Sequence, residues 1–153
     1  MNLRITLALA AVAAAIGSLS GGMRAAEPSQ EDVAAMQGTW AIESFTLDGN
    51  PIAPEQLNAW RRIVEDNHVT WKDGDQTMVE LDIKFDPGRE PMTLDSTIAT
   101  GEAKGQTLLA IYELITDDEL RVCFAYPGKP RPTEYSSGPG TGQSLYTAKR
   151  VRP

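Results

Sequence analysis

Apolar and polar side chains alternate over short stretches along most of the chain, and residues 107–126 show this pattern most clearly. Two runs of aliphatic, aromatic and β-branched side chains flank a short acidic segment at residues 116–118. Side chains of a β-strand point alternately to its two faces, so runs of this kind around a short turn predict a β-hairpin. This hairpin is the clearest structural prediction that the chain offers.

Charge indicates the register of that hairpin. A three-residue turn at 116–118 places Glu113 opposite Arg121, whereas a two-residue turn places the same carboxylate beside Val122. Opposite charges across a strand pair are mildly favourable and a lone carboxylate among apolar neighbours is costly, so we expect the first register. One face then carries the predicted core residues of the hairpin, which are Leu108, Ala110, Tyr112, Leu114, Leu120, Val122 and Phe124.

Other stretches have the same strand-forming character and are separated by turn residues such as Asp73-Gly74 and Pro87-Gly88. In one of them, residues 77–85, strict alternation assigns Met78 to the solvent-facing side. The remaining predicted strands cover residues 37–47, 62–65, 68–72, 92–98 and 144–149.

A short helix is expected after the first strand, over residues 54–60. Pro54 suits a first helical position, Glu55 places an acid in the first turn, and Leu57 and Trp60 lie on one side of it. We expect this helix to pack across an open end of the sheet. Residues 27–36 form a lead-in segment, either a turn or a short helix.

About eight short strands and one small helix indicate an all-β, antiparallel domain over residues 37–153. A sandwich and a barrel are both compatible with this pattern. The hairpin-length connections favour an up-and-down barrel of about eight strands, because closure removes the edge strands that promote aggregation.

Length and charge narrow the class of protein. At 153 residues the chain fits a single core. Lys and Arg total 14 against 21 for Asp and Glu, a formal charge of -7. This excess of acid argues against a nucleic-acid partner and suits a soluble surface.

The first 26 residues resemble an export signal, because residues 1–17 carry one cation, Arg4, followed by an apolar run too short to span a bilayer comfortably. We expect cleavage between residues 20 and 26, with a retained signal anchor as the alternative. Since no cysteine lies near the end of this leader, lipid attachment there is not expected. The mature protein is therefore predicted to be periplasmic or extracellular, with no membrane span and monomeric.

Few residues could support catalysis or metal binding. His68 and Cys123 are the single histidine and the single cysteine. The chain therefore lacks the usual ligand spacings of a transition-metal site, and we expect no metal, no cofactor and no enzymatic activity. Glu80 and Asp82 share one strand face and are expected to be solvated acids. Cys123 is interpreted as a packed small residue, with a reactive thiol or an intermolecular bridge as the alternative.

A family resemblance accompanies these patterns. It is carried by Gln37-Gly38-Thr39-Trp40, Asp48-Gly49, Tyr112-Glu113-Leu114, Leu120-Arg121-Val122-Cys123-Phe124, the proline-rich segment 127–135 and Lys149-Arg150. These motifs, spread over about residues 36–150, resemble a lipocalin-like family of small exported proteins common in Planctomycetes. The resemblance implies that Arg150 or Lys149 lies over Trp40 and closes one end of the barrel. It implies no activity.

Two functions remain open. In the first, the barrel encloses one small apolar ligand, contacted by Tyr112, Leu114, Val122 and Phe124, unless these side chains simply fill the interior. Alternatively, the proline-rich loop 127–142 binds another exported protein through Lys129, Arg131 and Tyr135, unless it is only a cover on the barrel wall.

Overall fold

The computed structural model describes residues 27–153 and confirms the predicted all-β, up-and-down barrel. The predicted export signal, residues 1–26, lies outside the described residues. Eight long antiparallel strands form the closed wall, with one two-residue strand beside it. The strands are β1 (Gly38–Leu47), β2 (Asn50–Pro51), β3 (Trp60–Glu65), β4 (His68–Asp73), β5 (Gln76–Asp86), β6 (Met92–Ile98), β7 (Thr107–Thr116), β8 (Glu119–Ala125) and β9 (Gln143–Arg150).

Closure comes from the pairing of the first and last long strands. Each of the strands β3 to β8 pairs with the next strand along the chain, while β1 pairs with β3 on one side and β9 on the other. The β1–β9 register runs from Trp40 opposite Arg150 to Leu47 opposite Ser144. One end of the barrel, the closed end, thus holds the start of β1 and the end of β9.

Two short helices accompany the barrel. Helix α1 (Gln30–Met36) begins with a capping box, in which Ser29 Oγ accepts from the Asp32 amide and the Asp32 carboxylate accepts from the Ser29 amide. Its last residue, Met36, is buried in the core. The lead-in segment is therefore helical, one of the two forms that the sequence allowed.

Helix α2 (Pro54–Leu57) is the helix predicted after the first strand, with Pro54 at its start and Leu57 buried. The predicted end at Trp60 was wrong, because Trp60 is the first residue of β3. Its side chain points into the barrel, alternating with Arg62 and Val64, rather than sharing a helical face with Leu57.

The central hairpin has the predicted register. Glu113 lies opposite Arg121 and the two side chains form an ion pair. The turn, however, has two residues rather than three: Thr116 pairs with Glu119, and a bulge at Ile115 supplies the extra residue. Four of the predicted core residues, Ala110, Tyr112, Leu120 and Val122, are fully buried, while Leu108, Leu114 and Phe124 are half-buried.

The closed end is filled by the buried indole of Trp40 and the guanidinium of Arg150, which together we call the plug. Trp40 has no exposed surface and donates its ring N–H to the carbonyl of Met36 at 3.1 Å. Arg150 Cζ lies 4.2 Å from the Trp40 ring centroid. The same guanidinium donates to the carbonyls of Ala35 and Gln37. Arg150 therefore joins α1, the start of β1 and the end of β9 at a single point, and Lys149 remains exposed.

Replacing Arg150 by Met is expected to lower the free energy of unfolding by about 2 to 4 kcal/mol. The change removes the cation from the indole face and leaves two carbonyls at the closed end without donors. Urea unfolding followed by tryptophan fluorescence measures this loss.

The matched control is Arg152→Met, close by along the chain. Arg152 pairs with Asp118 at 2.6 Å but its side chain is largely exposed, so we expect little change in the free energy of unfolding. Equal stabilities of the Arg150 and Arg152 variants would contradict the role assigned to the plug.

Candidate functional site

The barrel encloses an apolar cavity of about 280 Å³. It lies among inward-facing side chains from β1 and from β3 to β9, and hydrophobic and aromatic atoms form most of its wall. The lining residues are Phe45, Trp60, Arg62, Val69, Trp71, Met78, Val79, Leu81, Ile83, Leu94, Ser96, Ile98, Leu108, Ala110, Val122, Phe124 and Tyr146.

Only half of the predicted ligand-contacting set lines this cavity. Val122 and Phe124 do, whereas Tyr112 and Leu114 do not. Both lie further along β7 toward the closed end, where Tyr112 packs edge-to-face on Phe85 with ring centroids 6.2 Å apart. Side chains fill the interior there, so sharing a strand face was not sufficient to reach the cavity. Burial raises the pKa of the Tyr112 hydroxyl, which stays protonated.

One side of the cavity is a cluster of aromatic rings. Phe45 stacks on Tyr146 with centroids 5.6 Å apart, and Trp71 meets Tyr146 edge-on at 5.1 Å. Trp60 packs edge-on against Phe45 at 5.8 Å. Such contacts hold large flat side chains in place, which gives this wall a defined shape. None of these four residues was predicted to contact a ligand.

A β-bulge near the start of β5 changes the side of the barrel wall that Met78 faces. Trp71 pairs with Val79 and Lys72 pairs with Thr77, so Met78 has no partner on β4. As a result Met78 and Val79 both line the cavity, although strict alternation assigned Met78 to solvent. Met78 is 40% exposed, which places it where the cavity meets solvent. We call this region the open end.

The cavity also contains one buried cation. Arg62 is 1% exposed and points inward from β3, between Trp60 and Val64. Burial raises the pKa of Tyr146, and the neighbouring Arg62 guanidinium opposes that rise by stabilising the phenolate. Arg62 was not among the residues predicted from the sequence to contact a ligand. Alternation of Trp60, Arg62 and Val64 was the available signal, but it was hidden by assigning Trp60 to the helix.

The proline-rich loop 127–142 lies against the outside of the barrel. Arg131 donates to the carbonyl of Ala110 at 2.7 Å and pairs with Asp95 at 2.6 Å. Pro132 is fully buried. The loop is further held by Ser137, whose hydroxyl donates to the carbonyl of Gln143 and accepts from the Gly49 amide. These contacts correspond to the cover that the sequence left open as an alternative.

The other two predicted anchors of this loop differ from each other. Tyr135 is half-buried beneath Arg121, whose Cζ lies 4.3 Å from its ring centroid, and burial raises the pKa of Tyr135 to about 12. Lys129 is exposed.

Cys123 is completely buried under the same loop, and its thiol donates to the carbonyl of Ser136 at 3.2 Å. Burial also raises the pKa of this thiol, which favours the unreactive protonated form.

His68, Glu80 and Asp82 meet on the outer face of β4 and β5. His68 Nδ1 lies 3.0 Å from Asp82 Oδ1, and Nε2 lies 3.4 Å from Glu80 Oε1. The two acids thus lie beside opposite ring nitrogens and do not converge on one point.

Across residues 27–153, no group of three or more His, Cys, Asp or Glu side chains is arranged to hold a metal ion. No helix in this same range is long and apolar enough to cross a membrane.

Comparisons with models of known protein families, with curated proteins and with solved structures gave no match to this chain. The cavity and the residues around it are therefore the basis for a functional proposal.

The His68 cluster generates a pH prediction. The hydrogen bond to Asp82, more than that to Glu80, raises the pKa of His68 above 6.5, while partial burial opposes this shift. A raised folded-state pKa stabilises the fold below pH 6.5, and that contribution is lost as the pH rises through the folded value. Because the His68 side chain is 41% exposed, we expect its contribution to the free energy of unfolding to be less than about 1 kcal/mol.

Urea unfolding at pH 6 and pH 9 measures this contribution, with His68→Gln as the comparison. The wild-type protein should lose more stability than the variant between these two pH values. An equal or smaller loss in the wild type would show that the cluster does not favour protonated His68.

Proposed function

We propose that this chain is an exported, lipocalin-like protein that binds one small apolar ligand inside its barrel and is not an enzyme. The observation that carries the proposal is the cavity of about 280 Å³ with its largely apolar lining. A well-formed apolar pocket with a few polar groups is the usual form of a small-molecule site. The signal-like first 26 residues support export.

The size of the cavity indicates the size of the ligand. A dry protein cavity of about 150 Å³ is sufficient for benzene. A volume of about 280 Å³ suits a molecule with one or two rings, or an acyl chain of medium length. It is too small for a large polycyclic ligand unless side chains at the open end move.

Binding without catalysis agrees with the position of the titratable residues. His68, Glu80 and Asp82 lie on the outer face of the wall, away from the cavity. Inside, the lining residues that can form hydrogen bonds are Arg62, Ser96, Tyr146 and, through their indole N–H groups, Trp60 and Trp71. This set offers hydrogen bonds to a ligand but no carboxylate or histidine to act as a general base.

The alternative, a protein-interaction module that uses loop 127–142, has less support. Arg131 and Tyr135 contact the barrel itself, and both Nη atoms of Arg131 already have partners there. Of the three predicted anchors, only Lys129 is free to contact another protein without rearrangement of the loop.

Native mass spectrometry of the protein purified from its own exported fraction tests the ligand proposal directly. We expect an added mass of a small molecule that is lost on denaturation. Titration with the fluorescent probe phenylnaphthylamine is the second test, and saturable binding with one site is expected. No added mass together with no saturable probe binding would contradict the proposal.

Leu108→Trp is expected to weaken probe binding at least about tenfold, because the larger side chain occupies cavity volume near the open end. Leu109→Trp is the matched control, since the next residue of β7 faces the opposite side of the wall. Probe titration and thermal unfolding of both variants provide the measurement. Equal weakening by both variants would place the probe outside the cavity.

A further inference from the structure

Arg62 is a buried cation that has no acidic partner. Its side chain is 1% exposed, and none of the carboxylates in residues 27–153 lies within ion-pair distance of it. Its Nη1 has no hydrogen-bond partner in the same part of the chain. Buried charges in proteins are normally paired, because removing a cation from water is costly. The unpaired Nη1 of Arg62 therefore needs an explanation.

The surroundings of Arg62 show where a partner would lie. Arg62 lines the cavity, as do the hydroxyl-bearing residues Ser96 and Tyr146. The other fourteen lining residues are hydrophobic or aromatic, and among these only the indole N–H groups of Trp60 and Trp71 can form hydrogen bonds. A guanidinium offers only donors, which require acceptor atoms on the ligand.

We propose that the ligand is an apolar molecule with one carboxylate group, held by Arg62 with its apolar part toward the open end. This inference rests on the proposed ligand-binding function and names the chemical class of the ligand. A carboxylate matches the planar fork of the guanidinium and neutralises its single charge.

The position of Arg62 sets the orientation of the ligand. Arg62 of β3 lies opposite Trp40 of β1 in the strand register, and Trp40 supplies the indole of the plug at the closed end. Met78, Val79 and Ile98 line the cavity near the start of β5 and the end of β6, at the other end. The carboxylate thus lies deepest, and the apolar chain extends toward solvent.

Decanoate and decanol test this inference, because they share an apolar chain and differ in the head group. Binding is measured by calorimetry and by the emission of Trp60 and Trp71, both in the cavity wall. We expect the wild-type protein to bind decanoate about 10- to 100-fold more tightly than decanol at pH 7, as a charge-assisted hydrogen-bonded pair requires.

Arg62→Met should abolish this preference by weakening decanoate binding while leaving decanol binding equal or tighter. Arg62→Lys keeps the charge without the planar fork and should retain an intermediate preference. Arg61→Met is the matched control: Arg61 is the next residue on β3 and bonds to the carbonyls of Asn58 and Trp60, outside the cavity. This control should bind both ligands as the wild type does.

The outcomes separate this inference from the proposed function. Saturable phenylnaphthylamine binding with equal affinities for decanoate and decanol, or with neither bound, would refute the carboxylate site and leave the ligand-binding function standing. A preference for decanoate that Arg62→Met leaves unchanged would also refute it. No binding of any of the three molecules, together with no added mass in native mass spectrometry, would refute the proposed function as well. If Arg62→Met does not fold, the wild-type ratio and Arg62→Lys decide the question.

Discussion

The pairing of β1 with β9 is the constraint on which the rest of this structure depends. A row of antiparallel hairpins has two open edges, and only contact between the first and last long strands converts that row into a cylinder. The Arg150 guanidinium over the Trp40 ring completes this pairing at the closed end. Arg150 also holds the carbonyls of Ala35 and Gln37, so the lead-in helix belongs to the same folded unit. The plug thus fills the closed end of the barrel, beyond the residues that line the cavity.

Much of the architecture could be predicted from the sequence because it depends on local pairing and patterning. The Glu113–Arg121 register followed from the cost of an unpaired carboxylate, and it persisted even though the turn has another length. Period-two alternation likewise located the strands. The position of Arg150 over Trp40 came from a family resemblance instead, since residues so far apart in sequence carry no local signal of contact.

The contents of the barrel could not be predicted in the same way. Whether inward side chains fill the interior depends on their volumes at each level of the cylinder, which is why Tyr112 and Leu114 are packed while Val122 and Phe124 border empty space. A bulge reoriented Met78. Arg62 was not predicted because Trp60, the first residue of β3, was assigned to the preceding helix. Without Trp60, the inward-facing alternation of β3 could not be recognised.

Barrel closure also affects how the chain folds during its synthesis. The contact between β1 and β9 joins residues 40 and 150, near the two ends of the described chain, so the most distant pairing in sequence is also the one that completes the wall. Until β9 leaves the ribosome, β1 keeps an unpaired edge with apolar residues beside it. Non-local pairings of this kind slow folding and extend the lifetime of aggregation-prone intermediates. A chaperone that shields β1 during translation acts on one of the two edges that the closed barrel conceals.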